Sequence, residues 1–396
     1  MDLGLEGAFP VHRNSINRKL HPSWMTNAYK TWVELPRTRF KVVFANDILR
    51  EAKASYVPFF ETRGSSHQFF TESIVDLVKA SEAETFIFPR VDVVVGGFPC
   101  QDFSLSGKRL GLSSHKSHQG IITDDIPSEE NRGQLYIWMK RVVELTKPKV
   151  FIAENVKGLV SLGDVKKIIE NDFRSIDKGY VVLEAKVLHA GNYGVPQTRE
   201  RVIFLGFNKR YLTPSTVKKL ESGAIDPYPP QTHYLPNNID EKLNKFVALR
   251  DVLHDLEEPE KSTDPAQQSY SKAKYYGRHV QGQSEINLDS LGPTIRAEHH
   301  GNIEFRRLSI EHGGKYAPEL KRGLLPRRLT VRECARIQTF PDTYQFIRAA
   351  SVQGGEFSMS PSNAYKVIGN AVPPLLAYHI ATQLQSKWQE IFGDQE

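Results

Sequence analysis

The sequence predicts an α/β fold, an open sheet of strands interleaved with helices, on the strength of three features. Short β-branched runs (RFKVVFAND, VDVVVGG, KPKVFIAEN, RVIFLGF) alternate with helix-like stretches through residues 1–207. These runs lead to polar residues suited to chemistry, namely Asp47, Cys100 and Glu154, and in open α/β sheets ligands bind beyond the carboxyl ends of the strands. Residues 208 to about 326 then lose the alternation, so a differently organised region interrupts the pattern.

Composition narrows the class. With 396 residues the chain can bury a sizeable core, and a net charge of +6 permits a polyanionic partner without requiring one. Two cysteines, Cys100 and Cys334, exclude a disulfide framework and a Cys-rich zinc site. The opening MDLGLEGAFPVHR lacks the pattern of a secretory signal, and no apolar run approaches membrane-spanning length. These features point to a reducing, cytoplasmic compartment and to no membrane association.

Taken in order, Met1 to Phe9 resembles the inside of a helix, and RFKVVFAND reads as a strand ending in Asp47. A carboxylate there suits the ribose hydroxyls of a nucleoside cofactor, and it equally suits a turn or helix cap. Ile48 to Tyr56 and Phe70 to Val78 read as helices. Val91 to Val95 reads as a parallel strand buried on both faces, stopped by Gly96 and Gly97. Pro99 then stiffens the presentation of Cys100, a candidate nucleophile that by itself also fits a buried packing residue. The long polar segment 105–131 reads as a lid. Gln134 to Leu145 is helix-like, and Lys149 to Ala153 is a strand with Glu154 at its carboxyl end. In GNYGVPQTRE and the start of the next strand, Gln197, Arg199 and Arg201 alternate, so an extended chain puts them on one face. Phe246 to Leu256 reads as an amphipathic helix, EEPEKSTDP as a solvated linker, VRECARIQTF as a helix packing Cys334, and Leu375 to Phe392 as a closing helix.

Six motifs recur in one order: GGFPCQDFS (96–104), RGQLY (132–136), ENV (154–156), YGVPQTRER (193–201), RRLTVRECARIQTFP (327–341) and YKVIGNAVPP (365–374). With these the chain resembles the DNA (cytosine-5)-methyltransferases of bacterial restriction-modification systems over nearly its whole length. The resemblance implies a Rossmann-like sheet using S-adenosyl-L-methionine. It divides the chain into a catalytic and cofactor-binding part (1–207 and 358–396) and an inserted target-recognition domain with its hinge (208–357). It makes Cys100 the nucleophile toward carbon 6 of a flipped-out cytosine, with Glu154, Arg199 and Arg201 as its catalytic partners. Asp47, Ser73, Pro99, Leu135 and Asn370 fall to the cofactor, Ser73 standing where the family often has an acid. Gln101, Ser104 and Gln197 fall to the DNA.

In the recognition region, residues 265–328 carry eleven Lys and Arg against six Asp and Glu, which offers Arg296, Arg306 and Arg307 to bases or phosphates. His299 and His300 read as loop or DNA-contact residues. The partners implied are duplex DNA and a cognate restriction endonuclease that acts on the same site without a stable complex, the enzyme itself being a monomer. Two other readings stay open: a tRNA cytosine-5 methyltransferase, and a catalytically impaired DNA-binding form. The second arises because family members begin with a strand and a glycine loop resembling FxGxGG ahead of a segment like MDLGLE. Met1 therefore reads as an internal methionine, with poor solubility or weak cofactor binding expected, and in-frame codons for the strand and glycine loop expected upstream.

Overall fold

The computed structural model describes residues 1–26, 30–98, 136–277, 279–297, 301–347 and 359–393. The chain opens with α1 (Asp2–Glu6) and an antiparallel pair, β1 (Pro10–His12) and β2 (Trp32–Glu34). An alternating run follows: β3 (Phe44–Asn46), α2 (Arg50–Thr62), β4 (Gln68–Phe70), α3 (Ile74–Glu82), β5 (Val93–Gly97), α4 (Tyr136–Thr146), β6 (Val150–Val156), α5 (Val165–Arg174), β7 (Tyr180–Val182), β8 (Lys186–His189) and β9 (Glu200–Asn208). Next come α6 (Pro214–Glu221), β10 (His233–Tyr234), β11 (Asn244–Lys245), α7 (Leu249–Leu253), α8 (Pro265–Gln268), β12 (Phe305–Arg307), α9 (Ala317–Lys321), β13 (Arg327–Arg328), α10 (Val331–Ile337), α11 (Pro361–Asn370) and α12 (Pro374–Phe392).

The central sheet has the order β5-β6-β9-β7, with β8 pairing another stretch of β9. β5 runs parallel to β6, whereas β9 is antiparallel to β6, β7 and β8. β8 and β9 are joined by residues 190–199 alone, a connection too short for a parallel crossover, which needs a dozen or more residues. Along β6 the side chains alternate between two cores. Val150 and Ile152 pack with Leu376, Ile380 and Leu384 of α12, while Phe151 and Ala153 pack with Val143 of α4 and Phe173 of α5. A three-layer α/β/α arrangement results. Gly206 lies opposite Phe151, whose ring occupies the space a side chain there would need: a Cβ would sit 1.9 Å from it.

Several expectations are corrected. β5 is half-buried rather than covered on both faces, because its outer edge has no strand partner among the described residues. β3 and β4 form a separate two-stranded parallel sheet that no ladder joins to β5. The stretch read as a helix from Phe70 starts instead at Ile74, and residues 68–70 are β4. β6 continues through Glu154 to Val156, since Asn155 and Val156 remain paired with Val202 and Arg201 of β9. The helix expected over 246–256 is the single turn-and-a-half of α7. The segment 105–131, read as a lid, lies outside the described residues, as do His299 and His300.

The largest correction concerns charge. Arg307 is fully buried and pairs with Glu258 at 2.6 Å and Glu319 at 2.8 Å. Arg327 pairs with the same Glu258 at 3.0 Å and with Glu333 at 2.8 Å, and Glu333 in turn closes the capping box of α10 with Thr330. Arg306 pairs with Glu319 at 3.2 Å, Arg296 with Glu304 at 3.3 Å, and Arg332 with Asp264 at 2.5 Å. EEPEKSTDP is therefore an anchor rather than a solvated linker. Burial works to raise the Glu258 carboxyl, yet the guanidiniums of Arg307 and Arg327 hold it down at about 2. No helix among the described residues is long and apolar enough to cross a membrane.

Removing one partner of such a pair leaves an uncompensated buried charge. Glu258→Gln is expected to lower stability by roughly 3 to 5 kcal/mol in denaturant titration. The sign with pH is fixed as well: the depressed carboxyl contributes its full stability above its ordinary range near 4.5 and loses it as pH falls toward 2. A Glu258→Gln loss below about 1 kcal/mol, the scale of an exposed pair, would contradict this reading.

Candidate active site at the ends of β5 and β6

The register of two parallel strands sets the site. Gly97 of β5 lies beside Glu154 of β6, and two residues of β9 further along, Val202 and Arg201, face Asn155 and Val156. The Arg201 guanidinium forms an ion pair with Glu154, Nε to Oε1 2.7 Å, both side chains being largely buried. Arg201 Nη1 also donates to the Glu200 carbonyl at 2.8 Å, so the guanidinium is fixed from two sides. The Asn155 side-chain amide donates to the Phe98 carbonyl at 3.3 Å and holds the backbone just before Pro99 and Cys100. A Cβ on Gly97 would stand 3.0 Å from Glu154 Oε2, so the strand end is shaped around that carboxylate. Pro99, Cys100, Gln101, Ser104 and Leu135 lie outside the described residues.

The alternation of Gln197, Arg199 and Arg201 does not give three side chains with one task. Arg199 is fully buried and donates to the carbonyls of Ile295 at 2.9 Å and Gly369 at 2.7 Å. Gln197 is equally buried: its amide donates to Gln338 Oε1 at 2.6 Å, and its oxygen accepts from the Ile295 N–H at 3.0 Å. Both tie the lead-in of β9 to the 295 segment and to α10 and α11, which leaves Arg201 as the member paired with Glu154. Arg296, Arg306 and Arg307 have their carboxylate partners described above, and buried Arg307 has no surface to offer DNA.

Sequence reasoning passed over Gln338 and Asn155. Gln338 accepts from Gln197 and donates to the carbonyls of Ile368 and Ala371 at 3.1 and 2.6 Å, ordering the turn that contains Asn370. Both residues sit inside quoted motifs, RIQTFP and ENV, which was the available signal.

On the other side of the rim, Asp47 follows β3 and accepts the Leu49 N–H at Oδ1, 2.9 Å, as a turn cap. Burial pushes its carboxyl up, and its Oδ2 has no hydrogen-bond partner among the described residues. α2, which starts just beyond Asp47, is tied to α11 by Asn363 and Glu51 at 3.0 Å, and Asn370 ends α11 exposed. Ser73 caps α3, its Oγ accepting the Val75 N–H at 3.3 Å. A half-buried strand-end carboxylate with one oxygen to spare fits the hydroxyls of a nucleoside.

Solved structures share this architecture. The Dnmt2 methyltransferase of S. pombe matches with a TM-score of 0.51 at 15% identity, covering 87% of this chain and 91% of that one. The methyltransferase EhMeth of Entamoeba histolytica matches with a TM-score of 0.52 at 16% identity, covering 93% and 95%. At such identities the likeness defines the fold, that of α/β methyltransferases. The sequence places the chain more closely. A family model described as C-5 cytosine-specific DNA methylase matches residues 32–386. Type II methyltransferase M.BspRI of Lysinibacillus sphaericus is 33% identical over 362 residues, 87% of this chain and 70% of that protein. M.BsuRI of Bacillus subtilis is 32% identical over 358 residues, 87% and 68% respectively. This chain belongs to the C-5 cytosine-specific DNA methylase family.

Replacing Arg199 by Met strips two buried carbonyls of their donor, at about 1 to 3 kcal/mol each. Arg199→Met is therefore expected to lose roughly 2 to 6 kcal/mol of stability in chemical denaturation. An unchanged stability would contradict the clamp role.

Proposed function

We propose that this chain transfers the methyl group of S-adenosylmethionine to carbon 5 of a cytosine in duplex DNA, using Cys100 as covalent catalyst. The observation that carries the reading is the Glu154–Arg201 pair at the strand ends, beside the backbone that delivers Cys100. Carbon 5 of cytosine is a poor nucleophile. Addition of the Cys100 thiolate to carbon 6 moves an electron pair onto the ring and makes carbon 5 nucleophilic. Glu154, oriented by Arg201, accepts from the exocyclic amine and, carrying a proton on its other oxygen, donates to ring nitrogen 3, where negative charge would otherwise develop. With the methyl group on carbon 5 and its donor left as a neutral thioether, the carbon 5 proton passes to a solvent base, its electron pair re-forms the ring double bond, and the Cys100 thiolate is expelled.

S-adenosylmethionine, which the family uses, supplies an electrophilic methyl group when bound. Asp47, Ser73 and Asn370, with Pro99 and Leu135, are the residues this chain offers to hold it. The target base must leave the duplex, at a cost of a few kcal/mol in unstacking. Residues 208–357 are the proposed target-recognition domain, fastened to the catalytic part (1–207 and 358–396) by Gln197 and Arg199. Gln101 and Ser104 are proposed to meet the DNA.

Labelled methyl transfer to duplex DNA, with tRNA as the competing substrate, tests the function. Cys100→Ala is expected to keep DNA binding and lose transfer, and Cys334→Ala, which alters a fully buried thiol in α10, to remain active. Substantial methylation by Cys100→Ala would contradict the covalent route, and transfer confined to tRNA would contradict the substrate. Gly97→Ala crowds Glu154 and is expected to slow transfer roughly 10- to 100-fold through misplacement of the carboxylate. A wild-type rate in Gly97→Ala would detach Glu154 from the reaction.

A further inference from the structure

The basic surplus of residues 265–328 is not spread evenly over the surface. Arg296, Arg306, Arg307 and Arg327 face carboxylates at 2.6 to 3.3 Å. Lys272 and Lys274 differ: neither has a carboxylate within ion-pair distance among the described residues, and no acid occurs anywhere from 265 to 284. Along Tyr270–Gly277 the exposure alternates. Ser271, Ala273 and Tyr275 turn inward, while Lys272, Lys274 and Tyr276 face solvent, Tyr276 with 65% of its surface exposed.

The inward side is tethered at each step. The Ser271 N–H donates to the Tyr365 hydroxyl at 3.1 Å. The Arg328 guanidinium, lying 4.0 Å over the Phe305 ring, donates to the carbonyls of Ala273 and Lys274 at 2.9 Å each and to that of Gly282 at 2.7 Å. Tyr275 stacks on His312 with centroids 4.4 Å apart, and the Tyr276 N–H donates to Gln283 at 2.9 Å. A buried arginine thus fastens this ribbon's main chain, while its outer face presents a phenol and two ammonium groups with no carboxylate partner among the described residues, that of Lys272 lying 3.4 Å over the Tyr270 ring. Tyr365 belongs to α11, so the start of the ribbon is tied to the helix that ends at Asn370.

We propose that Lys272, Lys274 and Tyr276 form a backbone-binding ribbon that grips phosphates of the duplex beside the target base, with Arg328 as its positioning residue. The proposal rests on the duplex-DNA reading above. Ammonium groups at alternate positions on one exposed face neutralise phosphates, and a tyrosine hydroxyl donates to phosphate or sugar oxygens. Such contacts set register on the duplex without reading sequence.

The test is fluorescence anisotropy of the full chain on a labelled duplex over a series of salt concentrations. A Lys272→Gln/Lys274→Gln double variant is compared with a Lys218→Gln/Lys219→Gln control in α6. The double variant is expected to bind every duplex more weakly and to flatten the slope of log affinity against log salt by about two units, with its melting temperature unchanged. The control keeps the wild-type slope. A wild-type slope in the double variant overturns the ribbon, and so does a loss seen with tRNA alone. A wild-type protein that binds no duplex DNA overturns the functional reading too, and that failure shows before any variant is made.

Discussion

The Arg199 guanidinium is the joint on which the rest of the structure turns. It sits fully buried between two main-chain carbonyls, one from the 295 segment and one from the end of α11, while its neighbour two residues on, Arg201, reaches Glu154. A buried cation is costly, and the two terminal nitrogens of this one reach carbonyls of the 295 segment and of α11, so its placement demands that three distant stretches of chain be in register at once. Gln197 and Gln338 impose the same demand with neutral amides. The site's shape follows from that closure: Arg201 can orient Glu154 because the strand lead-in beneath it is fixed.

The recognition region is held by the same physics. It has few long elements, and its stability comes from arginines that share acids, Glu258 serving both Arg307 and Arg327, and Glu319 serving both Arg306 and Arg307. Such a network specifies one arrangement of loops without regular secondary structure, since Glu258 joins β12 to β13 through Arg307 and Arg327 while Glu319 ties α9 to β12. It also separates structural charge from charge left at the surface, which composition alone cannot do.

This separation explains what was legible in the sequence. The β-branched runs gave β5, β6 and β9, and the long apolar periodicity gave α12, because burial on a sheet or helix face writes itself as a local pattern. Glu154 and Arg201, picked from strand positions, come together in space. EEPEKSTDP looked solvated because the arginines that neutralise Glu258 lie 49 and 69 residues away, and no local pattern announces a partner at that distance. Arg296, Arg306 and Arg307 looked free for the same reason. Arg199 and Arg201 share an alternation, and only the packing of α10 and α11 over the first of them makes one a clamp and the other part of the rim. The strand at β4 was hidden by its three-residue length.

The central claim is that Cys100 bonds to the cytosine ring during transfer. Its most direct test is a duplex carrying 5-fluorocytosine at the target, incubated with the protein and S-adenosylmethionine. Fluorine replaces the proton that must leave carbon 5, so the carbon–sulfur bond cannot be released once the methyl group has moved. The account expects a protein–DNA complex that survives denaturation, formed by the wild type and absent with Cys100→Ala. A wild-type protein that methylates ordinary duplex DNA yet leaves no such complex on the fluorinated duplex would contradict it.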